Sequence, residues 1–188
     1  MIPALTLHQP WASFVCAGTK RIETRPWATS YRGWIAIHAG PSIPSYLGLG
    51  RRGRIEIGDY EIEKDRSGLL LRGGGLAHPY RLPLGAIVAV AELVDCVPMT
   101  DVWPENDGRH LLVGRDRLTL YRGHPHHEPH EGEDVTADAP YGDFAPGREA
   151  WVLGRVKRVP RAIPCAGHQR LWDVARAGAE VAERVEAF

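Results

Sequence analysis

Gly18-Thr19-Lys20-Arg21-Ile22-Glu23-Thr24-Arg25 gathers three cations and one carboxylate immediately after a glycine suited to ending a helix. Read as an extended strand, the segment sends Arg21, Glu23 and Arg25 to one side and Ile22 to the other, and a slip of one residue would reverse this. Upstream, Ala4 to Leu7 reads as a short strand. His8-Gln9-Pro10 then enters a helix in which Trp11, Phe14 and Val15 share a face, with Pro10 near the first position, where a missing N–H costs little. Gly18 stops that helix because glycine enters the left-handed region without a Cβ penalty.

Working outward, strands are expected at Trp34 to His38, Ala86 to Leu93 and Ala150 to Val159, each rich in Val, Ile or Trp and bounded by Gly or Pro. Ala86-Ile87-Val88-Ala89-Val90-Ala91 is apolar on both faces, as a central strand requires. The 42–83 stretch reads as an insertion carrying a hairpin, Arg54 to Ile57 against Tyr60 to Glu63 across Gly58-Asp59. The 124–138 stretch is almost all His, Pro, Glu, Asp and Gly, a composition too polar to offset the entropy of ordering, and reads as a mobile loop. From Asp173 to Phe188, Val174, Val181 and Val185 recur at near-helical spacing, predicting a C-terminal amphipathic helix.

The 188 residues suit one domain with its own core. Basic and acidic residues balance at 23 each, so nucleic acid would have to be held by a local patch and not by a long-range field. Three scattered cysteines, Cys16, Cys96 and Cys165, fit neither a disulfide framework nor a cysteine zinc site and point to a reducing cytoplasm. Neither a signal peptide nor a membrane span is expected. His124, His126, His127 and His130, with Glu128, Glu131, Glu133 and Asp134, offer metal-ligand chemistry. Their proline-broken spacing lacks the rigidity of a built site, so no metal or other cofactor is expected.

Gly18-x-Lys20-x-x-Glu23-x-Arg25, preceded by His8-Gln9-Pro10-Trp11-Ala12-Ser13, resembles the signature of the ASCH (activating signal cointegrator homology) family, in its bacterial and phage subgroup. Tyr31-Arg32-Gly33 leading into Trp34 to His38, the Ala89 to Asp95 strand, Tyr141 to Trp151 and Gly167 to Trp172 are similar to further segments of that family. The resemblance implies an α+β fold, a PUA-like mixed β-barrel flanked by short helices, forming one domain over 1–188. It also implies a polar cleft lined by Lys20, Glu23 and Arg25, with RNA or a nucleoside or nucleotide as partner.

Beside those three, Arg21, Trp27, Tyr31, Arg32, His38, Asp143 and Arg148 are candidate ligand contacts. Guanidinium groups grip phosphate with paired hydrogen bonds, and Trp27 and Tyr31 can stack an unpaired base. The ordinary alternatives are surface ion pairs, a loop bridge between Asp143 and Arg148, a structural His38, and core packing for Trp34, Trp151 and Trp172. Some small relatives are amidohydrolases that deacetylate N4-acetylcytidine with a lysine, a threonine and a glutamate. Lys20 matches their lysine, Glu23 stands at the threonine position, and Glu92 is the candidate glutamate. Hydrolysis would use Lys20, Glu23 and Glu92 as catalytic residues. A ribonuclease and a protein-interaction module with a closed Lys20–Glu23 pair are the other readings.

Overall fold

The computed structural model describes residues 2–49, 53–102, 109–122 and 132–188. Its strands are β1 (Pro3–Leu7), β2 (Ile22–Arg25), β3 (Gly33–Ala39), β4 (Arg54–Ile57), β5 (Tyr60–Asp65), β6 (Gly68–Gly73), β7 (Tyr80–Arg81), β8 (Ala86–Thr100), β9 (Arg109–Val113), β10 (Leu118–Arg122), β11 (Glu133–Asp134), β12 (Glu149–Pro164) and β13 (Leu171–Asp173). Two short helices, α1 (Trp11–Ala17) and α2 (Ala179–Glu186), complete a strand-rich α+β chain. Packing divides it into two compact units: unit 1 is Met1–Thr19, Trp34–Ala91 and Arg155–Phe188, and unit 2 is Lys20–Gly33 and Glu92–Gly154. The long strands β8 and β12 each contribute residues to both units.

In unit 1, β1 runs parallel to β3, Ala4 facing Ala36 and Leu7 facing Ala39, and antiparallel to β13. Parallel neighbours need a long crossover, and the connection containing α1 supplies it. Ala4, Ala36, Ile87, Val90, Val159, Ile163, Trp172, Val174 and Val185 form the core; burying each large aliphatic side chain contributes about 1.5–3 kcal/mol. Gln9, fully buried, accepts a hydrogen bond from the Ser13 N–H at 3.1 Å and donates to the Pro83 carbonyl at 2.8 Å, fixing the start of α1. The helix stops at Gly18 (φ +77°), whose N–H reaches the Val15 carbonyl while that of Thr19 reaches Phe14. Gly18→Ala should therefore cost about 1 kcal/mol, all of it backbone strain, because open space surrounds the site of a Cβ. A urea titration checks this, and an unchanged midpoint would contradict it.

The hairpin expected across Gly58-Asp59 forms in the expected register, with Arg54 opposite Glu63 and Ile57 opposite Tyr60. It belongs to a separate antiparallel sheet ordered β4-β5-β6-β7. The C-terminal segment differs from the continuous helix expected. Asp173 ends β13 and accepts the Ala175 N–H at 2.9 Å, starting a 3₁₀ turn over Val174–Ala177. Gly178 (φ +113°) separates that turn from α2, so Val174 and Val185 reach the same core from different elements.

In unit 2, β11-β10-β9-β8 form a ladder in which β9 and β10 are antiparallel and Met99 of β8 faces Leu111 of β9 in parallel pairing. Its core joins Ile22, Val97, Met99, Leu111, Leu118, Leu120, Val135, Ala150 and Val152. The expected closed barrel is corrected here: among the described residues the pairings within each unit form open paths, ended by the short strands β13 and β11. Short edges limit unpaired backbone without closure. Residues 124–131 of the expected mobile loop lie outside the described residues. The remainder, 132–138, is built into β11 and a 3₁₀ turn (Thr136–Tyr141), held by buried Val135 and Asp138. No helix among the described residues is long and apolar enough to cross a membrane.

Candidate functional site

The site lies within unit 2 and begins with the register of β2 against β12: Val152 faces Ile22, Trp151 faces Glu23, Ala150 faces Thr24 and Glu149 faces Arg25. Alternation sends Ile22 into the core and brings Glu23 and Arg25 together, with Glu23 Oε1 3.0 Å from Arg25 Nε. Lys20 folds back beside them. Its Nζ donates to the carbonyls of Ile22 and Tyr141, both at 2.6 Å, and lies 3.3 Å from Glu23 Oε2. An ammonium has three N–H donors, and these three acceptors account for them. Lys20 is 1% exposed, whereas the Glu23 and Arg25 side chains are 10% and 23% exposed, so the ionic chain runs from interior to surface.

Asp138 completes the base of the site. Its Oδ1 accepts the N–H groups of Arg21 at 2.7 Å and Ile22 at 2.9 Å, clamping the start of β2. Burial pushes its carboxyl pKa above the ordinary carboxylate value, against the opposite pull of those two bonds and of Lys20 and Arg21. The Asp143–Arg148 segment is laced to the same strand. Arg148 Nη2 donates to the Thr24 carbonyl at 3.2 Å, the Asp143 N–H reaches Thr24 Oγ1 at 3.3 Å, and Arg148 Nη1 lies 3.4 Å from Asp143 Oδ2.

The other candidates occupy distinct surroundings. Arg21 is exposed and faces Glu133 at 3.4 Å, a solvated pair that contributes little. Trp27 meets buried Trp151 edge-on, with ring centroids 4.6 Å apart, and its carbonyl accepts the Trp151 indole N–H. Tyr31 is half-buried, which raises its phenol pKa. Arg32 Nη2 lies 2.9 Å from Asp95 Oδ1, and Arg109 Nη2 approaches the same oxygen at 2.5 Å, so one carboxylate carries two guanidinium groups. Glu92 is half-buried on β8 beside Gly154; the carboxylate against Lys20 is that of Glu23.

His38 belongs to the interior of unit 1. It is fully buried, its Nε2 sits 3.1 Å from the Cys165 carbonyl, its ring is edge-on to Trp172, and burial lowers its pKa. A Cβ at Gly167 would overlap the ring, so the backbone closes over it. Of the expected His-rich group, Glu133 and Asp134 are described and lie beside Arg21 and Arg117; the four histidines, Glu128 and Glu131 fall outside the described residues. Among the described residues no group of three His, Cys, Asp or Glu is placed to hold a metal ion. Sequence reasoning did not find Asp138, the Tyr141 carbonyl, Asp95 or Arg109 as partners. The one available signal was Asp95 as a carboxylate ending an apolar run.

These features define a strand-dominated α+β protein with an ionic centre set by the segment just past its first helix. The ASCH domain profile matches residues 5–135, and the chain belongs to that PUA-like family. It is 34% identical over 95 residues to human activating signal cointegrator 1, covering 50% of this chain and 14% of that protein. Against the mouse protein of the same name it is 33% identical over 116 residues, covering 58% of this chain. The match spans 18% of the mouse protein, so the larger part of both relatives has no counterpart in it.

Proposed function

We propose that the chain is an RNA- or nucleotide-binding ASCH module, of the bacterial and phage subgroup and working in the cytoplasm, that holds its ligand through a polar cleft lined by the Lys20–Glu23–Arg25 motif. The supporting observation is the graded exposure of that ionic chain. Lys20 is enclosed and holds Glu23, Glu23 orients the Arg25 guanidinium, and Arg25 is the member that reaches furthest toward solvent. A guanidinium in an ion pair with a carboxylate on its Nε side can offer its outer N–H groups to a phosphate or a base, and Trp27 and Tyr31 follow it on the same segment as stacking partners.

Arg25→Gln should weaken mononucleotide binding about tenfold or more, measured by titration calorimetry over a panel of nucleotides. Arg25→Lys should not restore it, because an ammonium cannot reproduce the paired geometry. Equal binding by wild type and Arg25→Gln, or no binding by either, would overturn the proposal.

The near-complete enclosure of the Lys20–Glu23 pair favours a second reading, a protein-interaction module, in which Arg25 contacts a partner carboxylate. That reading gains if both proteins fail to bind nucleotides while wild type alone captures a partner protein. Hydrolysis of acylated cytidine is weakly supported. Lys20 would have to turn its ammonium toward a substrate oxygen, and its donors already face two carbonyls and Glu23.

A further inference from the structure

Charge in this balanced chain is segregated. From Ala150 to Trp172 there is no Asp or Glu, while Arg155, Lys157, Arg158, Arg161 and Arg170 fall inside the run. The first four lie on β12 within unit 1, and all four are exposed. They stand on an anchored strand, because Val159 and Ile163 between and beyond them are buried in the unit 1 core.

Aromatic rings lie beneath three of these cations. The Arg155 guanidinium carbon and Lys157 Nζ each sit 5.2 Å from the centre of the Trp34 ring, and the Arg158 guanidinium carbon sits 5.0 Å from that of Tyr80. Lys157 also donates to the Phe188 carbonyl at 2.5 Å. A cation resting on a ring loses less conformational freedom when it binds an anion, and a guanidinium plane so placed offers its outer face for stacking. An arginine plane can carry an unpaired base while neighbouring cations meet phosphates.

We propose that the exposed Arg155–Arg161 run of β12 is a second binding surface, which takes the phosphodiester backbone of a single nucleic-acid strand, RNA or DNA, with bases laid on the guanidinium planes. It does not depend on the Arg25 site. A bilayer is the less favoured partner of such a basic stripe. The exposed large apolar side chains among the described residues are Leu76, Leu84 and Val102, none of them on this strand, so it lacks an apolar face to insert.

The test is fluorescence anisotropy with labelled uridine and thymidine strands of about sixteen nucleotides across a salt series. The combined Lys157→Gln, Arg158→Gln and Arg161→Gln variant should lose about tenfold or more in affinity. Its slope of log affinity against log salt should be shallower by about 2, since each phosphate contact on a single strand contributes about 0.7. Arg161→Gln alone, which removes one exposed side chain, should lose about 0.7 of slope and serves if the triple variant is poorly folded. Uridine and thymidine arms separate RNA from DNA preference. Mononucleotide affinity should be unchanged in the triple variant and reduced in Arg25→Gln, so failure of one site is distinguishable from failure of the other. An unchanged slope in both stripe variants, absence of strand binding by wild type at low salt, or loss confined to phosphatidylserine vesicles would overturn the proposal.

Discussion

Lys20→Met should lower the unfolding free energy by about 3–5 kcal/mol, the usual consequence of removing one member of a buried ion pair. Methionine keeps most of the apolar stem, so the loss isolates the ammonium. Without it the Ile22 and Tyr141 carbonyls lose a donor and the Glu23 carboxylate is left against a neutral side chain. A domain with about 5–15 kcal/mol in total would lose a large share of its stability. With a urea slope of about 1–3 kcal/mol per molar, the midpoint should fall by roughly 1 M or more. The double variant Lys20→Met/Glu23→Gln should cost less than the sum of the single changes, because each alone strands the other's charge. A midpoint unmoved by Lys20→Met would show that the ammonium is not enclosed.

Seen in sequence, Lys20, Glu23 and Arg25 are three polar residues of equal standing. The structure ranks them: one anchors, one relays and one faces outward, with exposures of 1%, 10% and 23%. What sets Lys20 apart is its contact with the carbonyl of Tyr141, more than a hundred residues further along the chain. Local spacing carries no record of such contacts.

The strands around the site were legible to different degrees for physical reasons. Ala86 to Leu93 declares itself because it is buried on both faces, but β8 runs on to Thr100 through Asp95 and Pro98, residues that argue against a strand. They are tolerated because Asp95 is paired with Arg32 and Arg109 and Pro98 is exposed. Strands β9 and β10 were not anticipated, since neither Arg109–Val113 nor Leu118–Arg122 alternates strongly; each is held by its partner across the Gly114–Arg117 turn. Composition averages over the 124–138 stretch and so carries no sign of the local contacts made by its last residues. Val135 in the core and Asp138 under β2 tie 132–138 to unit 2, together with the pairing of β11 with β10.

Asp138 provides the sharpest separation of geometry from charge. One oxygen, Oδ1, takes both backbone N–H groups at the head of β2, in a residue 3% exposed. Asp138→Ala should cost about 2–6 kcal/mol, since each orphaned N–H costs about 1–3. Asp138→Asn keeps an oxygen in place and should cost about 1 kcal/mol or less by the same reasoning. The two variants also differ from wild type in their response to pH. Burial is the dominant influence on this carboxyl and raises its folded pKa above the unfolded value, so over that interval the folded state binds the proton more tightly. Its contribution to stability is therefore fully present below the unfolded carboxylate pKa and is lost as pH rises through the raised folded value. Stability of wild type minus that of Asp138→Asn, measured by denaturant unfolding at successive pH values, should fall across that window and then level. A difference that rises with pH would mean that Lys20, Arg21 and the two N–H donors outweigh desolvation, and a flat one would mean that the two balance.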